Sequence, residues 1–166
     1  MDFRFTNEQT LFRTDEIVEH LRGPRLWIPR FDYPDFDEWL ERSHEQLKSE
    51  KKRALLALSG NTIVGAVVYQ KRVGVPNDLE IKNLSVRPDA RGRYIANFLL
   101  RNAEIEGSKD FKCDRVVLDT KMGNRAIRQL LVRCGYQVSL IEDLYKLGAG
   151  RDVTYEKELT RSVTRF

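Results

Sequence analysis

Cysteine and histidine are scarce in this 166-residue chain, which holds two of each. Cys113 and Cys134 form neither a CxxC pair nor any metal-ligand spacing. They therefore read as free thiols, not as a disulfide framework or zinc ligands. His20 and His44 stand alone, so a zinc site or a Ser/His/Asp triad would have to be assembled from distant parts of the chain. The amino terminus, MDFRFTNEQT, carries no apolar run, so no signal peptide or membrane span is expected there. Internal repeats and low-complexity tracts are lacking too. These absences point to a cytoplasmic protein that makes no use of a membrane.

A block of like charge is also missing. The net charge of +4 and pI near 9.1 suit an anionic ligand, nucleic acid included. Lys and Arg are nevertheless spread along the chain, as on an evenly solvated basic surface. With 41% hydrophobic and 33% charged residues, the composition is that of a folded globular protein. One domain over residues 1–166 is the expected organisation, large enough to bury about two thirds of its unfolded surface.

What is present alternates between strand and helix signals. Asp2–Phe5 reads as a short strand and Arg13–Leu21 as a helix closed by Gly23-Pro24. Trp27, Phe31 and Tyr33 are interleaved with prolines between Pro24 and Pro34, which excludes a helix there and predicts an extended loop. Asp35 with Glu38 has capping-box spacing, and Phe36, Leu40, Ser43 and Leu47 follow at helical intervals to an end near Glu50. Arg53–Leu58 and Thr62–Gln70 read as strands joined by Ser59-Gly60-Asn61. Further on come a strand at Arg115–Leu118, a turn at Thr120–Asn124 and a helix at Arg125–Cys134 with Ile127, Leu130 and Leu131 inward. Tyr136–Tyr145 and Asp152–Leu159 form a closing pair of strands. The order β-α-α-β-β-β-α-β-α-β-β predicts an α/β domain with a mixed sheet flanked by helices.

The stretch between those halves organises the rest. Leu79, Ile81, Leu84 and Val86 mark a buried or half-buried strand stopped by Arg87-Pro88. After the turn RPDA, a helix opens at RGRYIANFLLRNAEIE, with Ile95, Phe98, Leu99, Asn102 and Ile105 expected inward and Arg101, Glu104 and Glu106 left for water. Unpaired N–H groups at a helix start, beside Arg91, Gly92 and Arg93, form an anion site suited to a diphosphate.

The run Val86-Arg87-Pro88-Asp89-Ala90-Arg91-Gly92-Arg93-Tyr94-Ile95-Ala96 resembles the acyl-CoA-binding segment of the GNAT superfamily of N-acyltransferases, which reads Val-x-Pro, a gap, then Arg/Gln-x-x-Gly-x-Gly/Ala. Arg91 and Ala96 fit; Tyr94 stands where the first glycine usually is. The resemblance implies a GNAT-like sheet of six to seven strands with a splay between its two middle strands. It also implies a division into acceptor-side helices and loop over 1–50 and a CoA-binding core over 51–160. Acetyl-CoA is the implied cosubstrate, with Leu84, Ser85, Val86, Arg91, Gly92, Arg93, Tyr94, Ile95 and Ala96 as its contacts.

Acyl transfer to an amine needs a base, because an amine of pKa about 10.4 is only about a thousandth neutral at pH 7. In the histone-acetyltransferase branch that base is a glutamate eleven residues before the Arg/Gln. Glu80 stands at that spacing from Arg91. A solvent-facing strand residue is the other reading of Glu80. The charge developing on the thioester oxygen needs a donor, which in the superfamily comes from backbone groups at the positions of Leu84, Ser85 and Val86. The leaving thiolate is commonly met by a tyrosine in Asn-x-x-Ala-x-x-x-Tyr-x-x-x-Gly-Phe. Here Asn124, Gly135 and Tyr136 fit, but Leu131 occupies the tyrosine position. Tyr145, Tyr136 and Cys134 are the candidate substitutes, Tyr145 the one carried as catalytic, with water as a further alternative. Asn124 reads either as a pantetheine contact or as the N-cap of its helix.

The acceptor side falls to the amino-terminal part, where Trp27, Phe31, Tyr33, Phe36 and Trp39 with Asp32, Asp35 and Asp37 line a pocket for an amine or simply pack and cap. The acceptor is expected to be an amine on a small molecule, peptide or protein, and the chain a monomer or homodimer. Two other readings stay open: an aminoacyl-tRNA acetylating toxin of the same fold, with tRNA as partner, and a GNAT-like module that binds protein or nucleic acid without catalysis.

Overall fold

A computed structural model describes residues 2–7, 11–23, 33–143 and 151–159. The elements follow the expected order: β1 (Phe3–Thr6), α1 (Leu11–Arg22), α2 (Phe36–Lys48), β2 (Lys52–Ser59), β3 (Thr62–Lys71), β4 (Asp78–Val86), α3 (Ile95–Phe111), β5 (Arg115–Lys121), α4 (Arg125–Arg133), β6 (Gln137–Glu142) and β7 (Asp152–Glu158). The seven strands form one sheet in the order β1-β2-β3-β4-β5-β7-β6. All neighbours are antiparallel except β4 and β5.

Each face of the sheet carries a core. Ile17, Val18 and Leu21 of α1 and Phe36, Leu40 and Leu47 of α2 pack on Ala54, Leu56, Leu58, Ile63, Ala66 and Val68. On the opposite face Ile95, Leu99, Leu100 and Ala103 of α3 and Leu131 of α4 meet Val67, Tyr69, Leu79, Ile81, Val116 and Tyr155. The apolar run of β3 therefore has helices on both sides, which is why it reads as continuous and not alternating. The β2–β3 hairpin turns at Gly60, whose φ of +60° suits a residue without Cβ. Phe36, Leu40, Ser43 and Leu47 are the buried residues of α2, the set its spacing predicts.

Three expectations are corrected. Asp35 sits at the N-cap of α2 but its side chain makes no capping hydrogen bond. The backbone does the work instead: the Phe36 N–H donates to the Tyr33 carbonyl and Trp39 N–H to that of Asp35. In α3 the buried stripe is rotated from the one expected, for Phe98 is 56% exposed and stacks on Phe5, and Ile105 is 43% exposed. Leu100, Ala103, Glu104 and Gly107 face the sheet in their place. Glu104 tolerates burial because the Tyr136 hydroxyl and the Lys157 ammonium both donate to its carboxylate, at 2.8 and 3.1 Å. Finally, α3 begins at Ile95 and not at Arg91, since Gly92 and Tyr94 hold φ of +75° and +59°.

Candidate active site

The site begins where β4 and β5 part. Their parallel pairing consists of three rungs, Asp78 with Arg115, Leu79 with Val116 and Glu80 with Val117. From Ile81 to Val86 β4 pairs with β3 alone, while β5 continues to Lys121 on β7. The expected splay between the middle strands is therefore present, closed at Glu80 and open toward the loop after Val86. A register shift in β4 gives Ile81 and Asn83 successive partners Tyr69 and Val68, so one extra residue bulges between them. A buried clamp holds the closed end. Asp78, 2% exposed, accepts from Arg115 Nε and Nη2 at 2.8 and 2.9 Å and from Arg72 Nη1 at 3.1 Å.

Leaving β4, the chain makes a short 3-10 helix at Pro88–Ala90, with proline setting its first turn. The Arg87 guanidinium is bidentate on Asp89, at 3.0 and 2.7 Å. Arg91 Nε donates 3.0 Å to the Val86 carbonyl, which ties the loop to the end of β4. Gly92 and Tyr94 then take left-handed φ, and the Phe98 N–H donates the first helical bond to the Tyr94 carbonyl at 3.1 Å. The N–H groups of Ile95, Ala96 and Asn97 precede that bond and have no helical acceptor. Together with the positive end of the helix dipole and the cations of Arg91 and Arg93, they suit a diphosphate. Tyr94 is 75% exposed, so its ring lies in solvent and belongs to neither core.

Glu80 stands on the closing rung, on the α1–α2 face. Gln70 Nε2 donates to its Oε2 at 3.0 Å and Lys82 Nζ to its Oε1 at 3.1 Å. The register Lys52–Gln70–Glu80 continues this polar row across β2 and β3. Lys52 is buried, donates to Ser43 Oγ at 2.7 Å and lies 4.8 Å from the centre of a Trp39 ring. Burial, joined by the nearby Lys82 cation, lowers its pKa to about 8, with Glu80 acting the other way. Trp39 and Phe36 stack at 5.6 Å and belong to packing on this face, as does the Tyr33 ring with Lys121 Nζ at 5.7 Å.

One of the two isolated histidines of the sequence, His20, lies against the site from α1. His20 Nε2 lies 3.3 Å from Ser85 Oγ on the unpaired half of β4, across 65 positions of sequence. Burial first, then the Arg87 charge, lowers the His20 pKa to about 4, so the ring is neutral at pH 7. Sequence spacing offers no signal for this pairing.

The other candidates fall as follows. Leu131 is fully buried in the α3–α4 core, so the tyrosine position of the resemblance is a packing position here. Tyr136 is buried with its hydroxyl bound to Glu104, and burial pushes its proton affinity far up, which removes it from service as an acid. Burial also raises Cys134, whose thiol lies 3.9 Å from the Asn97 amide. Asn124 caps α4, its Oδ1 accepting from the Ile127 N–H at 3.4 Å. Tyr145, Trp27, Phe31 and Asp32 lie outside the described residues. Among the described residues no group of three His, Cys, Asp or Glu is placed to hold a metal, and no helix is long and apolar enough to cross a membrane.

A sheet forked between its middle parallel strands, with a basic helix start at the open end, defines the acyl-CoA acyltransferase class of fold. The sequence profile of the Acetyltransferase (GNAT) family matches residues 15–136, and the chain belongs to that family. No curated protein matches the sequence. Among solved structures, the ribosomal-protein-S18-alanine N-acetyltransferase of Escherichia coli superposes with a TM-score of 0.75 at 13% identity, covering 99% of each chain. The PaiA N-acetyltransferase of Thermoplasma acidophilum, in complex with coenzyme A, gives 0.66 at 18% identity over 95% of this chain and 99% of its own. Aminoglycoside 6'-acetyltransferase type Ii gives 0.69 at 16% identity over 97% and 99%. At these identities the likeness is one of fold.

Proposed function

We propose that this protein transfers the acetyl group of acetyl-CoA directly to a primary amine. The observation that carries the reading is the end of β4–β5 pairing at Glu80 and Val117, which leaves a fork whose open end leads to a helix start suited to a diphosphate. Arg91, Gly92, Arg93, Tyr94, Ile95 and Ala96 are the groups to hold the phosphates. Leu84, Ser85 and Val86, which lack a β5 partner, leave backbone groups for the pantetheine arm and the thioester oxygen. Bound there, acetyl-CoA supplies an acyl carbon activated by a thiolate leaving group of pKa about 8.5. A C–N bond forms as the C–S bond breaks, the electron pair leaves on sulfur, and the nitrogen's proton passes to Glu80. With Leu131 in the core, the proton for the thiolate falls to Tyr145, the candidate acid of the sequence, or to water.

The test is isothermal titration with acetyl-CoA together with thiol release on a panel of amines. Binding with turnover is expected, and Glu80→Gln should lower kcat by about a hundredfold or more while sparing acetyl-CoA binding. Unchanged turnover and an unchanged pH–rate profile in that variant would remove Glu80 as the base.

A second reading, acetylation of aminoacyl-tRNA, draws support from α4. A groove of about 510 Å³ there is lined by Arg125, Arg128, Gln129, Val132, Arg133 and Tyr155. Its arginines suit a polyanion. Binding of tRNA whose affinity falls steeply with salt would favour this acceptor, and tRNA indifference would exclude it.

A further inference from the structure

We propose that this protein acetylates itself at Lys82: the ammonium already held by Glu80 accepts an acetyl group delivered to the fork from acetyl-CoA. The inference rests on the acyl-transfer reading above and names an acceptor for it within the chain.

Register sets Lys82 apart. The last rung of β4 and β5 is Glu80 with Val117, so Lys82 lies on the part of β4 that has left β5. On the other edge, Ile81 and Asn83 take the successive β3 partners Tyr69 and Val68, which leaves Lys82 as the extra residue of the bulge. A bulged residue is released from the strict alternation of its strand and can be re-aimed. Lys82 turns back along its own strand, its Nζ donating to Glu80 Oε1 at 3.1 Å. With the diphosphate at the helix start beyond Val86, the acyl end of the cosubstrate points back along β4 toward this pair. Val86 to Lys82 is about 13 Å of strand, a span that an extended pantetheine arm covers.

The pair is engaged without being sealed, for the Lys82 and Glu80 side chains are 20% and 19% exposed. Gln70 Nε2 holds the other oxygen of Glu80, which fixes the carboxylate and leaves Oε1 to the amine. A base within hydrogen-bond reach of an accessible amine is the arrangement that acyl transfer needs. Two other lysines lack it. Lys52, in the same polar row, is buried and donates to Ser43 Oγ at 2.7 Å, so a thioester cannot reach it. Lys109 also meets a carboxylate, Glu106 at 3.7 Å, but on α3, which packs on the opposite face of the sheet.

In the step, one proton of the Lys82 ammonium passes to Glu80 and the freed nitrogen attacks the thioester carbon. A C–N bond forms, the C–S bond breaks, and its electron pair leaves on the CoA sulfur. The nitrogen sheds a second proton, the sulfur takes one up, and Glu80 returns the first to water. The products are an acetamide at Lys82, CoA thiol and a proton.

Intact-mass spectrometry of the protein incubated with acetyl-CoA, followed by peptide mapping, tests this without any external amine. A gain of one acetyl group at Lys82 is expected, about a hundredfold faster than at Lys109, the worth of a positioned base. The rate should not change when the protein is diluted at fixed acetyl-CoA, as for a reaction within one molecule. Lys82→Arg should lose the gain, and Glu80→Gln should slow it by about a hundredfold, while both variants still bind acetyl-CoA in isothermal titration. Labelling of Lys82 no faster than that of Lys109, a rate that climbs with protein concentration, or an undiminished rate in Glu80→Gln would overturn the Lys82 assignment while acetyl-CoA binding stands. Failure of the wild-type protein to bind acetyl-CoA would overturn the acyl-transfer reading, and the assignment with it.

Discussion

Glu80 faces Val117 across the last rung that β4 and β5 share, and Asp78 faces Arg115 across the first. Three rungs therefore hold the closed end of the fork on which the proposed acyl transfer rests.

The Asp78 clamp should control both stability and its pH dependence. Burial opposes the Asp78 charge, but hydrogen bonds from Arg115 and Arg72 outweigh it and hold the carboxyl below its ordinary value of 3.8. A carboxyl lowered on folding contributes stability that is complete above its unfolded pKa and lost as pH falls toward the folded one. Asp78→Asn should destabilise the protein by about 2–3 kcal/mol at pH 7, with a smaller difference from wild type below about pH 4. Urea denaturation at pH 7 and pH 3 measures both.

His20 should add a second pH dependence of the same sign. Its pKa falls from 6.5 to about 4 on folding, so the unfolded chain binds more protons between those values. Stability should rise with pH through that window and level off above it. His20→Gln should flatten the rise, as followed by melting temperature from pH 4 to 7.

Gly107 should resist even the smallest side chain. A Cβ there would lie 2.5 Å from Leu79 Cδ2 and 2.7 Å from Cδ1, where α3 crosses β4. Leu79 is fully buried and cannot swing aside. Gly107→Ala gains about 1 kcal/mol of helix propensity but incurs about 1–3 kcal/mol of overpacking. A net loss in denaturant stability is expected; a gain would mean that α3 shifts freely on the sheet.

Tyr94 should be replaceable by the smaller residue its backbone suits. A tyrosine at φ of +59° is strained by about 1–2 kcal/mol, and its ring, 75% exposed, recovers little of that by burial. Tyr94→Gly should stabilise the protein by about 0.5–1 kcal/mol after glycine's greater unfolded freedom is counted. Acetyl-CoA affinity should hold or improve, because the backbone can come closer to the diphosphate. Weaker binding measured by titration would give the ring a part in holding CoA.

How far the site was legible differs from residue to residue. The inward set of α2 and the double-sided apolar run of β3 follow from spacing along a few turns or pleats. The turn at Arg87-Pro88 was legible because proline acts on its own backbone, but the helix start expected at Arg91 was not, since Gly92 and Tyr94 take left-handed φ and delay it to Ile95. The α3 stripe was not, because burial of Glu104 depends on Tyr136 and Lys157, 32 and 53 positions away. The meeting of His20 with Ser85 was not either, and Asn124 showed its two roles as equals until the cap bond was seen.

The amino-acid order alone determined the succession of strands and helices and the basic turn after β4, since each is set by torsions and periodicities of neighbouring residues. Folding in three dimensions decided where β4 leaves β5 and which side chains share the α1–α2 face, His20 and Ser85 among them. Those outcomes come from the register between segments far apart in the chain, and register is settled by the packing of both cores together.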